Sequence, residues 1–245
     1  MDAGYDKGWE ITARCLALLV TVCGVVPAAT AQSYFTADAG FQRGAFGSTV
    51  TSRVSSVTLS TGWFGEDYDV SAAMPLLRLS DDLGAEETGL GDVILRAGRS
   101  NLFRNAEGFV LDASVSVKVP TADVNKNLGS GEADIGGFVN LRKQWSSFAT
   151  TLGAGYIVVG DPAGIDYNNV TLVSLGVSKR LVHGGVFASL DSRSAVLAGT
   201  DDPRELSMGG YYVVDAHNAF SGSVFAGLSD GSADYGANLG WLRRF

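Results

Sequence analysis

The side chains able to do chemistry in this chain are charged residues set into alternating segments. From Phe109 to Val119, Asp112, Ser114, Ser116 and Lys118 fall on one face while Phe109, Leu111, Ala113, Val115, Val117 and Val119 fall on the other. Side chains alternate sides along a strand, so such a segment has one polar and one apolar surface. Consecutive strands of a meander are neighbours. That order brings Lys118 close to Asp134 on the next strand and Asp92 on the previous one, sets Asp112 facing Arg142, and lets Arg193 meet Glu205. Arg96, Asn140, Arg180 and Asp191 point the same way and complete a mixed-sign set. Two kinds of chemistry fit it. The charges select a polar or amphipathic solute, or they neutralise one another and fasten the strands in register.

Catalysis is a poor fit. The two histidines, His183 and His217, both fall in short turns, away from any serine they could activate. Gly89-Leu90-Gly91-Asp92 opens a strand rather than a helix, so it makes no phosphate-binding loop. Asp230-Gly231-Ser232-Ala233-Asp234 lacks the later acidic ligand of a calcium loop and reads as a turn. We expect no catalytic, cofactor-binding or metal site, and no enzyme activity.

The elements that position these charges are strands of about ten residues, the length a tilted membrane strand needs. Twelve are expected, near 34–43, 50–62, 67–78, 91–100, 109–120, 132–144, 148–160, 169–182, 185–195, 205–214, 219–227 and 234–245. Their connections alternate in character, except that the stretch after the first strand and Leu228 to Ala233 are both short. Gly62 to Glu66, Asn101 to Gly108, Trp145 to Ser147, His183 to Gly184 and Asp215 to Asn218 are tight. Leu79 to Leu90, Thr121 to Gly131, Asp161 to Asn168 and Leu197 to Arg204 are longer and rich in charge and glycine. Outer-membrane barrels pair short periplasmic turns with long external loops. Trp63, Phe109, Trp145, Phe148, Phe220, Trp241 and Phe245 mark the periplasmic rim, and Tyr156, Tyr167 and Tyr235 the outer one. Tyr235, Ala237, Leu239, Trp241 and Phe245 share one face of a final strand that stops on an aromatic residue.

The fold expected is all-β: a single transmembrane antiparallel up-and-down β-barrel of about twelve strands. Lys7 and Arg14, the apolar run Cys15 to Val26 and the small residues up to Ala31 form an export signal, giving residues 1–31 as signal peptide and 32–245 as barrel. Both cysteines leave with that segment, which excludes disulfides and thiol chemistry from the remainder. Without it the chain holds 23 acidic and 16 basic residues, a net charge of −7 that argues against nucleic acid. Glycine is abundant at 32 residues and proline scarce at 5, as closely packed ladders require. Twelve strands enclose a cylinder roughly 25 Å across, which inward side chains narrow.

Several stretches together carry a family resemblance: Gly89-Leu90-Gly91-Asp92; Lys118-Val119-Pro120-Thr121-Ala122-Asp123 leading to Leu128-Gly129-Ser130-Gly131; Gly160-Asp161-Pro162-Ala163-Gly164; and Gly227-Leu228-Ser229-Asp230-Gly231-Ser232. In order and spacing the chain resembles bacterial outer-membrane barrels labelled as transporters of the MetA pathway of phenol degradation. The resemblance implies a single-chain outer-membrane barrel, and the family's name points to uptake of aromatic compounds. Arg243 departs from the pattern, standing where barrels usually carry an aromatic or apolar residue. The function expected is passive passage of small, aromatic or weakly polar solutes through a narrow charge-paired lumen. The alternative is a non-conducting structural or partner-binding barrel. Expected partners are outer-membrane lipid, a small-molecule solute, and the barrel assembly machinery through the strand ending in Phe245. A monomer is expected, because closure removes exposed strand edges.

Overall fold

In a computed structural model, residues 32–245 are described; the expected signal segment lies outside them. The strands are β1 (Gln32–Gly44), β2 (Ser52–Phe64), β3 (Tyr68–Asp81), β4 (Glu86–Leu90), β5 (Val93–Arg104), β6 (Phe109–Val119), β7 (Asp134–Gln144), β8 (Ala149–Val158), β9 (Val170–Leu181), β10 (Gly184–Arg193), β11 (Arg204–Val213), β12 (Asn218–Gly227) and β13 (Tyr235–Arg244). Each pairs antiparallel with its sequence neighbour except β4 and β5, which do not pair with each other, and β1 pairs with both β2 and β13, so the sheet closes. β4 and β5 lie in turn against β3, Leu76 opposite Leu90 above and Ala73 opposite Ile94 below. They count as one interrupted strand, and the barrel has twelve.

The barrel is apolar on the outside. Val115, Leu152 and Leu175 are 57%, 53% and 56% exposed, while the intervening Ser114, Gly153 and Ser174 turn inward. An apolar belt of this extent has no soluble counterpart and calls for lipid. Among the described residues no helix is long and apolar enough to cross a membrane; the strands cross it instead. Trp63, Trp145, Phe220 and Phe245 remain exposed at one rim, with Tyr156 and Tyr235 toward the other. Arg243 lies outward with its guanidinium carbon 5.6 Å from the Phe245 ring centre, which places the departure from the aromatic pattern within the girdle.

The turns assigned to the periplasm are built from local hydrogen bonds. Asp215 accepts from the backbone N–H groups of His217 and Asn218 and from the Asn218 amide. Those donors hold its carboxyl below the usual range.

Three details differ from the sequence expectation. The stretch Leu79 to Leu90 is not a loop: β3 runs on to Asp81, and β4 returns against it through a tight turn at 82–85. Pro75, which has no N–H to give a ladder, sits where β3 changes partner, and Gly91 N–H donates to its carbonyl at 2.8 Å. The connection 101–108 shrinks to 105–108, because β5 continues past a bulge at Asn101, whose φ is 55°. Tyr167 is no girdle residue; only 7% exposed, it packs with Val159, Val170 and Val196.

Candidate functional site

The lumen is lined by the residues that alternate with the outer belt. At its external end the predicted charge group assembles. Lys118 Nζ lies 2.7 Å from Asp134 and 3.8 Å from Asp92, and also donates to Ser130 Oγ at 3.0 Å. All three charged side chains are nearly buried. Asp92, in the break between β4 and β5, does further work: its Oδ1 accepts the backbone N–H groups of Thr121 and Ala122, each at 3.0 Å. Thr121 Oγ1 in turn accepts from Val93 N–H. The carboxylate thus holds the start of loop 120–133.

That loop folds into the barrel mouth. Leu128 is 1% exposed and packs on Val54, Leu77 and Leu79, inward-facing residues of β2 and β3, with Ala122 beside them. Glycines of the loop and of β4 pack closely at this junction. A Cβ at Gly129 would stand 2.7 Å from Asp92 Oδ2, and one at Gly89 would stand 2.6 Å from Leu128 Cδ1. The separate stretches Gly89–Asp92, Lys118–Asp123 and Leu128–Gly131 are one structural unit.

Other external loops are laced to it. Asp134 accepts from Gly160 N–H, and Asp161 from Tyr167 N–H. Ser229 Oγ donates to the Asp202 carbonyl, Ser232 Oγ bridges both backbone groups of Arg204, and Gly47 N–H reaches the Asp230 carbonyl. A second apolar group joins Val159, Tyr167, Val170 and Val196 with Ile157 and Leu172 from the inner wall. The result is a collar that narrows the outer opening.

Of the remaining residues expected in the lumen, Arg193 and Glu205 meet at 3.7 Å, and Asp191 accepts from Ser189 Oγ at 2.7 Å. Asp112 is not paired with Arg142. The register sets Asp112 opposite Asn140 and Val110 opposite Arg142, and the Asp112 carboxylate takes the N–H of Asn101 in the β5 bulge. Arg96 turns inward on β5, and Arg180 sits at the periplasmic end of β9 opposite Gly185. Among the described residues no cluster of acidic, histidine or cysteine side chains has the makings of a metal site.

Sequence reasoning gave no role to five inward aromatic residues, each directly opposite a glycine. Tyr34 faces Gly62, Phe138 faces Gly155, Phe187 faces Gly209, Tyr211 faces Gly185 and Phe225 faces Gly236. The rings cover those glycines: a Cβ at Gly155 would lie 2.5 Å from Phe138 Cδ1, and at Gly209 2.8 Å from Phe187 Cζ. Seated this way the aromatics lie against the wall rather than across the lumen. Glycine alternating with an inward aromatic one strand away is the signal, but it appears only once the register is known.

The family model described as "Putative MetA-pathway of phenol degradation" matches residues 30–243. The chain belongs to this family. No curated protein matches its sequence. Among solved structures it resembles the COG4313 outer membrane channel from Pseudomonas putida F1, at 15% identity and TM-score 0.74, covering 90% of this chain and 97% of that one. It also resembles the KdgM porin at 9% identity and TM-score 0.56, covering 86% and 99%. The β-domain of the Bordetella autotransporter BrkA matches at 14% identity and TM-score 0.55, covering 88% and 99%. At these identities the likeness is one of fold, that of a closed outer-membrane barrel. Family and fold together class the chain with outer-membrane β-barrels.

Proposed function

We propose that the chain is a narrow channel for passive passage of small, aromatic or weakly polar solutes across the outer membrane. The observation that carries this reading is the series of ring-on-glycine pairs, which extends from Phe225 and Phe138 toward Tyr211 and Tyr34 at the periplasmic end. Ring faces offer a planar solute stacking surface worth about 1 kcal/mol per contact. The glycines beneath keep the wall thin. The charges Asp92, Arg96, Lys118, Asp134, Arg142, Arg180, Asp191, Arg193 and Glu205, with Asp112 and Asn140, line the same path. Most of them are satisfied by neighbours, which favours passage of uncharged molecules. In this reading residues 1–31 direct export, Phe245 engages the assembly machinery, and the barrel acts as a monomer.

Block of ion current by a monocyclic phenol tests the reading. Replacing Phe138 and Phe187 by alanine together weakens block by about thirtyfold, two lost stacking contacts, while the folded barrel persists. Unchanged block in that variant refutes the stacking path.

A further inference from the structure

The outward face of β1, β2 and β3 ends at the external rim in three arginines. Arg43 follows Phe41 on β1, Arg53 lies beyond Val57 and Ser55 on β2, and Arg78 lies beyond Met74 and Leu76 on β3. Their strand neighbours Gln42, Ser52, Val54, Leu77 and Leu79 are buried on the inner side, which fixes the arginines on the membrane side. Arg43 and Arg53 stand directly opposite each other in the β1–β2 ladder. Like charges so placed destabilise a strand pair unless an anion lies between them.

Acidic neighbours only partly answer this charge. Asp82 lies 2.7 Å from Arg53 and 3.7 Å from Arg43, and Glu86 lies 2.9 Å from Arg78. Three guanidiniums thus face two carboxylates. The arginine side chains are still 38%, 43% and 61% exposed.

Their height is set by the strands. Arg53 is ten residues from Trp63 and Arg78 ten from Tyr68, the outward aromatics at the periplasmic ends of β2 and β3. Ten residues of tilted strand rise about 25 Å, the height of a membrane barrel's apolar band. The three arginines therefore stand where hydrocarbon gives way to outer headgroups, Arg43 directly opposite Tyr235 in the β1–β13 ladder and one strand step above Phe41. At the same edge β7 and β8 present Ile135 and Val158, while Arg204 of β11 stands alone.

We propose that Arg43, Arg53 and Arg78 bind the phosphate groups of a phosphorylated glycolipid in the outer leaflet. The guanidinium fork matches phosphate oxygens with two parallel hydrogen bonds, and the arginines' spacing on adjacent strands suits a headgroup with more than one phosphate. Val57, Leu59, Met74 and Leu76 continue directly below and receive the acyl chains. Asp82 and Glu86 hold the guanidiniums in place until lipid displaces them. The inference rests on the outer-membrane orientation but not on conduction, so a closed barrel would bind the lipid equally well.

The test compares the folded wild-type barrel with the variant R43A/R53A/R78A in vesicles carrying a bis-phosphorylated glycolipid or its dephosphorylated form, with R204A as the control. Lipid retained through purification is counted by mass spectrometry. The triple variant is expected to retain about tenfold less phosphorylated lipid, short of the about hundredfold that three uncompensated arginines would give, and R204A about as much as wild type. The wild-type unfolding temperature is also expected to rise with the phosphorylated lipid over the dephosphorylated one, a readout that needs no variant. Equal retention by the triple variant, or equal stabilisation by both lipids, overturns the proposal.

Discussion

Asp92 does more for the outer mouth than its ion pair does. Its carboxylate lies 3.8 Å from Lys118, yet its Oδ1 accepts two backbone N–H groups of the loop that enters the barrel. Alanine at this position leaves the half-buried Ala122 N–H without its acceptor and the Thr121 N–H with only the Val119 carbonyl, so Asp92→Ala is expected to lower barrel stability by about 2 kcal/mol. Asp92→Asn keeps an acceptor oxygen and is expected to cost about 1 kcal/mol. Thermal unfolding followed by heat-shifted gel mobility separates the two; equal losses would show that charge, not the acceptor, holds the loop. The grouping of Lys118 with Asp92 and Asp134 was legible in the sequence, because neighbouring strands of a meander set their ends side by side. The pairing of Asp112 with Arg142 was not. A two-residue shift of register keeps every side chain on the same face, so alternation alone does not separate Asn140 from Arg142 as the opposite residue. The aromatic–glycine pairs were hidden for the same reason.

Loop 120–133 is the element that folds into the outer opening. Leu128 is its apolar anchor on Val54, Leu77 and Leu79. Truncation in Leu128→Ala is expected to cost about 2 kcal/mol, the low end for a buried leucine, because the loop can relax outward. Conductance should rise and the loop should become sensitive to protease while the barrel stays folded. Unchanged conductance would mean that the constriction lies deeper. Most strands were readable because lipid outside and water or polar groups inside impose strict alternation. The hairpin of β3 and β4 was not, since above the membrane that constraint lapses. Asp81, Asp82, Gly84, Glu86 and Glu87 have the composition of a loop, and only backbone pairing makes part of it a strand. The separate glycine-bearing stretches of the family pattern were visible in sequence, but their meeting around Asp92 and Leu128 depends on the folded mouth.

At the scale of the whole molecule, closure through β1 and β13 satisfies every strand of the wall on both sides and leaves the apolar belt to lipid. In the proposed reading the inner surface serves passage, with ring faces and charges along it and a laced collar above. The central claim is that this lumen conducts. Residues 32–245, refolded and inserted into a planar bilayer, give the most direct test by single-channel recording. Small discrete current steps, enlarged by Leu128→Ala and blocked by a monocyclic phenol, are the predicted result. A silent bilayer from protein shown to be a folded barrel, with Leu128→Ala equally silent, would contradict the account and leave a closed structural barrel in its place.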